Sequence, residues 1–285
     1  MPMNLMNVNK DNKRRHNRFR AWIIALTCAL ANTAMSHAAS LEDIKTRGYI
    51  TVATEDDYRP FEFMEQGKPT GYDNELLVLV EKIAGIKLRQ QIMPWSGILP
   101  GVTTGKYDMA VSAVMVTDAR KATFDFTSPT AQTTTYYATK KGSAIHTADE
   151  LVGKVVGAET GSAMLTDLRA FDAALKASKG KGLKEIVEYH GYPEAYQDLA
   201  IGRLDAVANT DLTLLPLIKE RGDVFVMGHP IGQPTYLAWA VSKGNSDVLK
   251  LIDGALLKLR ASGDMYRLQK KWLGESHEAM PVSVN

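Results

Sequence analysis

Cysteine is nearly absent: the 285 residues contain one, Cys28, so no intramolecular disulfide can brace the chain. Stability must come from a buried apolar core, and a hydrophobic content of 45 % over this length can build one large or two medium cores. Long apolar runs are also missing beyond residue 35, and no later segment is long enough to cross a bilayer, which takes about twenty residues. The chain lacks HExxH, GxSxG and any phosphate-binding glycine loop, and it has no cysteine placed as a nucleophile. His146, His190, His229 and His277 are scattered, with no pair at metal-ligand spacing. These absences argue against metallohydrolase, serine hydrolase and nucleotide-hydrolysing chemistry. No cofactor and no metal are expected.

Charge is concentrated at the start. Residues 1–20 hold Lys10, Lys13, Arg14, Arg15, Arg18 and Arg20 against one acid, Asp11, and an apolar run over residues 21–35 follows. Small residues at Ser36, Ala38 and Ala39 complete the order of a cleaved signal peptide, residues 1–39, with cleavage near Ala38 or Ala39. A lipid-attachment site would want Leu at the place of Ala25 and Gly or Ala at that of Thr27. The pair Arg14-Arg15 is followed by His16 and Asn17, which does not suit a twin-arginine signal. Without residues 1–38, 34 basic residues fall by six and 32 acids by one, leaving 28 against 31, or about −3. That even, weakly acidic balance offers no electrostatic footprint for nucleic acid.

The remaining chain reads as two similar α/β halves. Ser40 caps a short helix that Gly48 ends, and YITVAT follows as a strand running into Glu55, Asp56 and Asp57. Helical spacing from Asn74 to Ala84 and an alternating KLRQQIMP continue a strand-helix-strand order. The second half starts again at GKVVGAETGSAM, where Ser162 can cap a helix through Leu165 and Leu168. GKYDMAVSAV at 105–114 and GRLDAVANTD at 202–211 each read Gly, base, bulky apolar, Asp, then a small-residue strand. Afterwards PTYLAWAVSKGN reads as a strand, Ser246 as the cap of a helix through Leu259, and a last helix carries Met265, Leu268 and Trp272. These closing elements belong against the first half, which makes the second an insertion. The expected lobes are 40–134 with 237–285, and 135–236, joined by hinge crossings near 133–139 and 233–240. Facing α/β lobes place one ligand cleft beyond the carboxyl ends of their strands.

The stretch SAVMVTDARKATFDFTSP carries the most chemistry. Its strand ends at Val116, Thr117 can cap the helix that starts at Asp118, and Arg120 then points its guanidinium where helix-start N–H groups also point. A planar guanidinium beside free N–H donors suits a carboxylate. Together with DYRPFEF, Gly71-Tyr72-Asp73, WSGILPGVTTGKYD and the terminal KKWLG, this segment resembles the polar-amino-acid-binding receptors of ABC importers, extracellular solute-binding family 3, over essentially the whole exported chain. The resemblance implies the two-lobed periplasmic-binding-protein (Venus-flytrap) fold with a two-strand hinge. It also implies a periplasmic monomer that closes on an amino-acid-like carboxylate and delivers it to a permease in the inner membrane.

Carried over by position, Arg120 is the carboxylate anchor, Trp95 and Tyr58 are the aromatics covering the ligand, and Glu55 is a contact for cationic ligand side chains. Ser162 lies in the turn that meets the carboxylate from the second lobe. Ala113 and Met115 stand where small hydroxyl-bearing residues or glycine usually help the grip, so their backbone is left to donate. The acid expected for the α-ammonium group falls on Thr210, with Asp211 one residue later; either a bulge returns Asp211 to the cleft, which is the expectation, or another group meets the ammonium, or the ligand has no ordinary α-ammonium. A dehydratase of the same fold, cyclohexadienyl dehydratase acting on prephenate or arogenate, is the rival reading. Its catalytic Glu falls on Thr213 or Leu214, neither of which can donate as that acid does, so an enzyme is not expected.

Overall fold

The computed structural model describes residues 39–285; the expected signal peptide lies outside the described residues. Among these residues no helix is long and apolar enough to cross a membrane. Helix α1 (Leu41–Arg47) opens with a capping box between Ser40 and Asp43 and ends on Gly48 in the left-handed region. Strand β1 (Tyr49–Glu55) leads to a small antiparallel sheet of β2 (Asp57–Tyr58), β3 (Glu62–Glu65) and β4 (Lys68–Thr70). Helix α2 (Tyr72–Ala84) then buries Tyr72, Leu76, Leu77 and Val80 on one face. After it come β5 (Lys87–Met93), α3 (Trp95–Thr103), β6 (Met109–Met115), the single turn α4 (Asp118–Lys121), β7 (Phe124–Phe126) and β8 (Ala131–Thr133).

The chain leaves this sheet after Thr133 and enters a second one at β9 (Thr135–Lys140). There follow β10 (Val155–Glu159), α5 (Ala163–Lys179), β11 (Glu185–Tyr189), α6 (Tyr192–Ile201), β12 (Ala206–Thr210), α7 (Asp211–Arg221) and β13 (Phe225–Pro230). It returns through β14 (Thr235–Ser242) and closes with α8 (Ser246–Ala261) and α9 (Asp264–Trp272). The two sheets have one plan. The first runs β5-β1-β6-β14-β7, with β8 also pairing β14, and the second β11-β10-β12-β9-β13; in each, three parallel strands are followed by one antiparallel strand, β14 or β9, and then by a strand that runs with the first three. Strands β9 and β14 hold corresponding places, and the chain passes between sheets beside both, so the second lobe is inserted in the first.

Recurrence of the Gly-base-apolar-Asp pattern has a structural cause. Gly105 and Gly202 are both left-handed, just where α3 and α6 finish. The Asp three residues on then accepts from the backbone at the start of the central strand: Asp108 from Thr51 N–H at 2.6 Å, Asp205 from Val155 N–H at 2.8 Å. Each carboxylate ties a helix-strand turn to the strand beside it.

Two sequence expectations need adjusting. Asn245, not Ser246, is the residue before α8. Thr210 ends its strand as the cap of α7, its hydroxyl accepting from Thr213 N–H; the sequence reading left out this helix, because Pro216 and a weakly one-sided apolar pattern hide it. The C-terminal helices pack on the first lobe, where Gln269 donates to the Thr130 carbonyl at 2.7 Å alongside the Tyr72 hydroxyl at 2.6 Å.

Gly71 precedes α2 at φ 115°, and a Cβ there would stand 2.3 Å from the Phe61 carbonyl oxygen. Strained backbone and backbone collision combine, so Gly71→Ala is expected to cost about 2 to 4 kcal/mol. Gly67, also left-handed but in open space, is the control: Gly67→Ala should cost only about 1 kcal/mol. Denaturant midpoints of the two variants measure the difference.

Candidate functional site

The cleft between the lobes narrows to a small cavity of about 20 Å³. Glu55, Tyr58, Trp95, Ser112, Ala113, Met115 and Arg120 line it from the first lobe, and Glu159, Ser162, Ala163 and Met164 from the second. Thus seven of the nine residues singled out in the sequence meet here. Thr210 and Asp211 do not line it. Strand β12 keeps unbroken register with β9 from Ala206↔Thr139 to Thr210↔Thr135, so no bulge turns Asp211 inward. Its carboxylate instead accepts from the Thr133 hydroxyl at 2.6 Å and Thr134 N–H at 3.2 Å, at the crossing between lobes.

Arg120 is partly buried yet forms no ion pair among the described residues. Its guanidinium donates to the Met115 carbonyl at 2.9 Å and to the Gly161 carbonyl of the other lobe at 3.5 Å, and lies 5.2 Å from the centre of the Trp95 ring. Asp125, the nearest acid in sequence on its far side, is taken by Lys243 at 2.7 Å. Burial pulls the Arg120 pKa down to about 10, with Tyr58 and Asp167 opposing the shift, so it stays cationic at neutral pH. The one-turn α4 contributes little dipole of its own. The stronger helix start belongs to α5, seventeen residues long: Ser162 caps it through Leu165 N–H at 3.0 Å, and Ala163 and Met164, its first two residues, line the cavity. A guanidinium and a helix N-terminus therefore face one space from opposite lobes.

Tyr58 joins the lobes, its hydroxyl donating to Asn209 Oδ1 at 3.0 Å while its ring stacks between Phe61 and Tyr192 at 5.5 and 5.8 Å. Ala113 has φ 42° in the middle of its strand surroundings, a conformation that favours glycine. Its N–H donates to Asp73 Oδ2 at 2.9 Å. That donor, expected from the sequence to be free for a carboxylate, is already used.

Beside this cationic end lies a row of acids that the sequence did not single out beyond Glu55. Glu159 ends β10 as Glu55 ends β1, and the two carboxyls meet across the lobes, lining one cavity. Ser112 Oγ touches both Glu55, at 3.2 Å, and Glu62; Glu62 in turn hydrogen-bonds Asp73, which accepts from Trp239 Nε1 at 2.9 Å. Burial pushes Glu55, Glu159 and Glu62 well above the usual carboxyl range and Asp73 up to about 6. Among the described residues no group of three or more His, Cys, Asp or Glu is placed to hold a metal. The signal that could have revealed Glu159 was the internal repeat, since it occupies in the second lobe the position of Glu55 in the first.

A cleft lined by a partly buried guanidinium and aromatic walls between two hinged α/β lobes defines a receptor for a small anionic or zwitterionic solute. Residues 50–275 match the family described as bacterial extracellular solute-binding proteins, family 3, and the chain belongs to that family. It is 29 % identical to the L-cystine-binding protein TcyJ of Escherichia coli (strain K12), over 88 % of this chain and 92 % of the relative. The structure is similar to that of the P235GK mutant of ArgBP from T. maritima, with a TM-score of 0.73 and 28 % identity, covering 83 % of this chain and all of the other. It is equally similar to an ancestral amino-acid-binding protein, a precursor of cyclohexadienyl dehydratase, with a TM-score of 0.73 and 27 % identity over 82 % and 99 % of the two chains.

Two outcomes are expected from this geometry. Removing the left-handed penalty of about 1 to 2 kcal/mol at Ala113, less the extra flexibility of an unfolded glycine at about 0.4 to 1 kcal/mol, Ala113→Gly should stabilise the protein by up to about 1 kcal/mol in denaturant unfolding. For the acids, the folded state holds protons that the unfolded chain releases near pH 4.3, so their contribution is fullest below that value and declines as pH rises towards their raised folded values. The melting temperature of ligand-free protein should therefore fall between pH 5.5 and 8.5, and fall less steeply in Glu62→Gln.

Proposed function

We propose that this protein is the substrate-binding component of an ABC importer for amino acids or their derivatives. It holds the ligand's carboxylate between Arg120 and the start of α5, and closure of the second lobe over the first is the state its permease recognises. One observation carries the reading: a partly buried guanidinium without an ionic partner among the described residues, facing the N-terminus of a long helix across a hinge. Family membership and amino-acid-binding relatives support it. Trp95 and Tyr58 cover the ligand, Ser162 shapes the α5 turn, and Met115 and Ala113 form wall, not donors. The strand crossings support lobe limits of 40–134 with 237–285, and 135–236. Residues 1–39 act as an export signal, placing the mature protein in the periplasm, where it works as a monomer.

A receptor is favoured over a dehydratase because the positions expected for its catalytic acid hold Thr213, whose hydroxyl is bonded to that of Thr210 at 3.0 Å, and Leu214, which is fully buried. Neither reaches the cavity.

The reading is tested by thermal unfolding of residues 40–285 with L-arginine, L-lysine, L-glutamine, L-cystine, opines and plain carboxylates, since a ligand bound only by the folded state raises the midpoint. At least one amino acid should shift it, and prephenate should be left unconverted. Leaving a buried carboxylate without its guanidinium costs roughly 3 to 5 kcal/mol, so Arg120→Ala should weaken binding by about two to four decades in calorimetry. An Arg120→Ala protein with near-normal affinity would remove the anchor from the reading.

A further inference from the structure

The cavity has a second charged end. Glu55 and Glu159 come from corresponding strands of the two lobes, are 5 % and 2 % exposed, and line the same space as Arg120. Among the described residues neither forms an ion pair, and no hydroxyl, amide or amine donates to the buried Glu159 Oε1. Its neighbour is the Glu55 carboxyl, and two carboxyls can hydrogen-bond only if a proton sits between them. Around the pair, Asp56, Asp57 and Glu62 are acidic and Ser112, Tyr58, Tyr192 and Tyr196 are neutral hydroxyl groups, while the cation of the same cavity, Arg120, donates to the Met115 and Gly161 carbonyls. Closing the lobes on two bare carboxylates would bring like charges together out of water, so the closed cleft requires either a proton or another cation there.

We propose that the ligand's cationic group docks between Glu55 and Glu159 in place of the proton they share, so that binding releases a proton and Glu159 selects ligands bearing an ammonium or guanidinium group. The inference rests on the receptor reading above and extends it to the opposite end of the ligand. It also accounts for Asp211: the acid expected to receive the ammonium is committed to the hinge threonines, and the Glu pair supplies a buried acidic site elsewhere in the cavity. Atoms balance simply, as one cation enters, one proton leaves to buffer, and the pair keeps a single net negative charge beyond what the ligand neutralises. Closure and ligand choice then share one device, because half of the cation site travels with each lobe.

The test is calorimetric titration of residues 40–285 with L-arginine, L-glutamine and L-cystine in phosphate and in Tris at the same pH, two buffers with very different protonation heats. Proton release appears as a buffer-dependent heat, and affinity should rise with pH, at most by about tenfold per unit between pH 6 and 8. Release with L-glutamine as well as L-arginine places the α-ammonium at the pair; release with L-arginine alone places the side-chain cation there. Glu159→Gln, which can donate to Glu55 without a shared proton, should bind more weakly and lose both the buffer dependence and the pH slope. The wild-type measurement decides the matter even if that variant fails to fold. An amino acid that binds with no proton released, or a folded Glu159→Gln with the wild-type pH slope, overturns the cation site and leaves the receptor reading intact. If no amino acid binds at all, the receptor reading falls and the cation site falls with it.

Discussion

A partly buried guanidinium whose hydrogen-bond partners among the described residues are carbonyls is the constraint around which this structure is arranged. Arg120 retains its charge in surroundings that penalise it, held by the Met115 and Gly161 carbonyls and the Trp95 ring. Such a group is compensated by what comes to it, and what can come is limited by the walls: an aromatic lid, a helix N-terminus and the end of the opposite sheet. The hinge matters for the same reason. An anchor on one lobe and donors on the other are complete only when the lobes meet, so the ligand's binding energy and the closed conformation are one quantity.

The repeat in the fold explains the charge pattern of the cleft. Each lobe sends the carboxyl ends of its parallel strands towards the same opening, and the innermost position of the central strand carries a glutamate in both. What a single lobe would present as an exposed turn acid becomes, in the pair, two carboxyls in contact with no cation between them. The same duplication shows in Asp108 and Asp205, which do identical work at the back of the sheets, far from the ligand. Repetition thus builds both the scaffold and the asymmetric cleft, cationic at Arg120 and acidic at Glu55 and Glu159.

Much of this was legible because it is local. Caps at Ser40, Thr117 and Ser162, the helix-ending Gly48, and the apolar spacing of residues 74–84 are decided within a few residues, where hydrogen-bonding geometry and helical period act directly. The guanidinium at Arg120 could be read for the same reason, since its cap and its strand lie in one segment. Helix α7 was hidden by Pro216 and by an apolar pattern that covers no single face.

Long-range placement is what remained to the tertiary structure. That Ala113 spends its N–H on Asp73, that Asp211 turns to the hinge threonines, and that Glu159 meets Glu55 each depend on partners at least 40 residues away in sequence. The sequence by itself determined the two-lobed plan, the inserted second lobe and the cationic anchor, because period, capping and internal repetition are written along the chain. Only folding decided which acids reach the cavity, because burial and the approach of one lobe to the other set both the position and the protonation of those side chains.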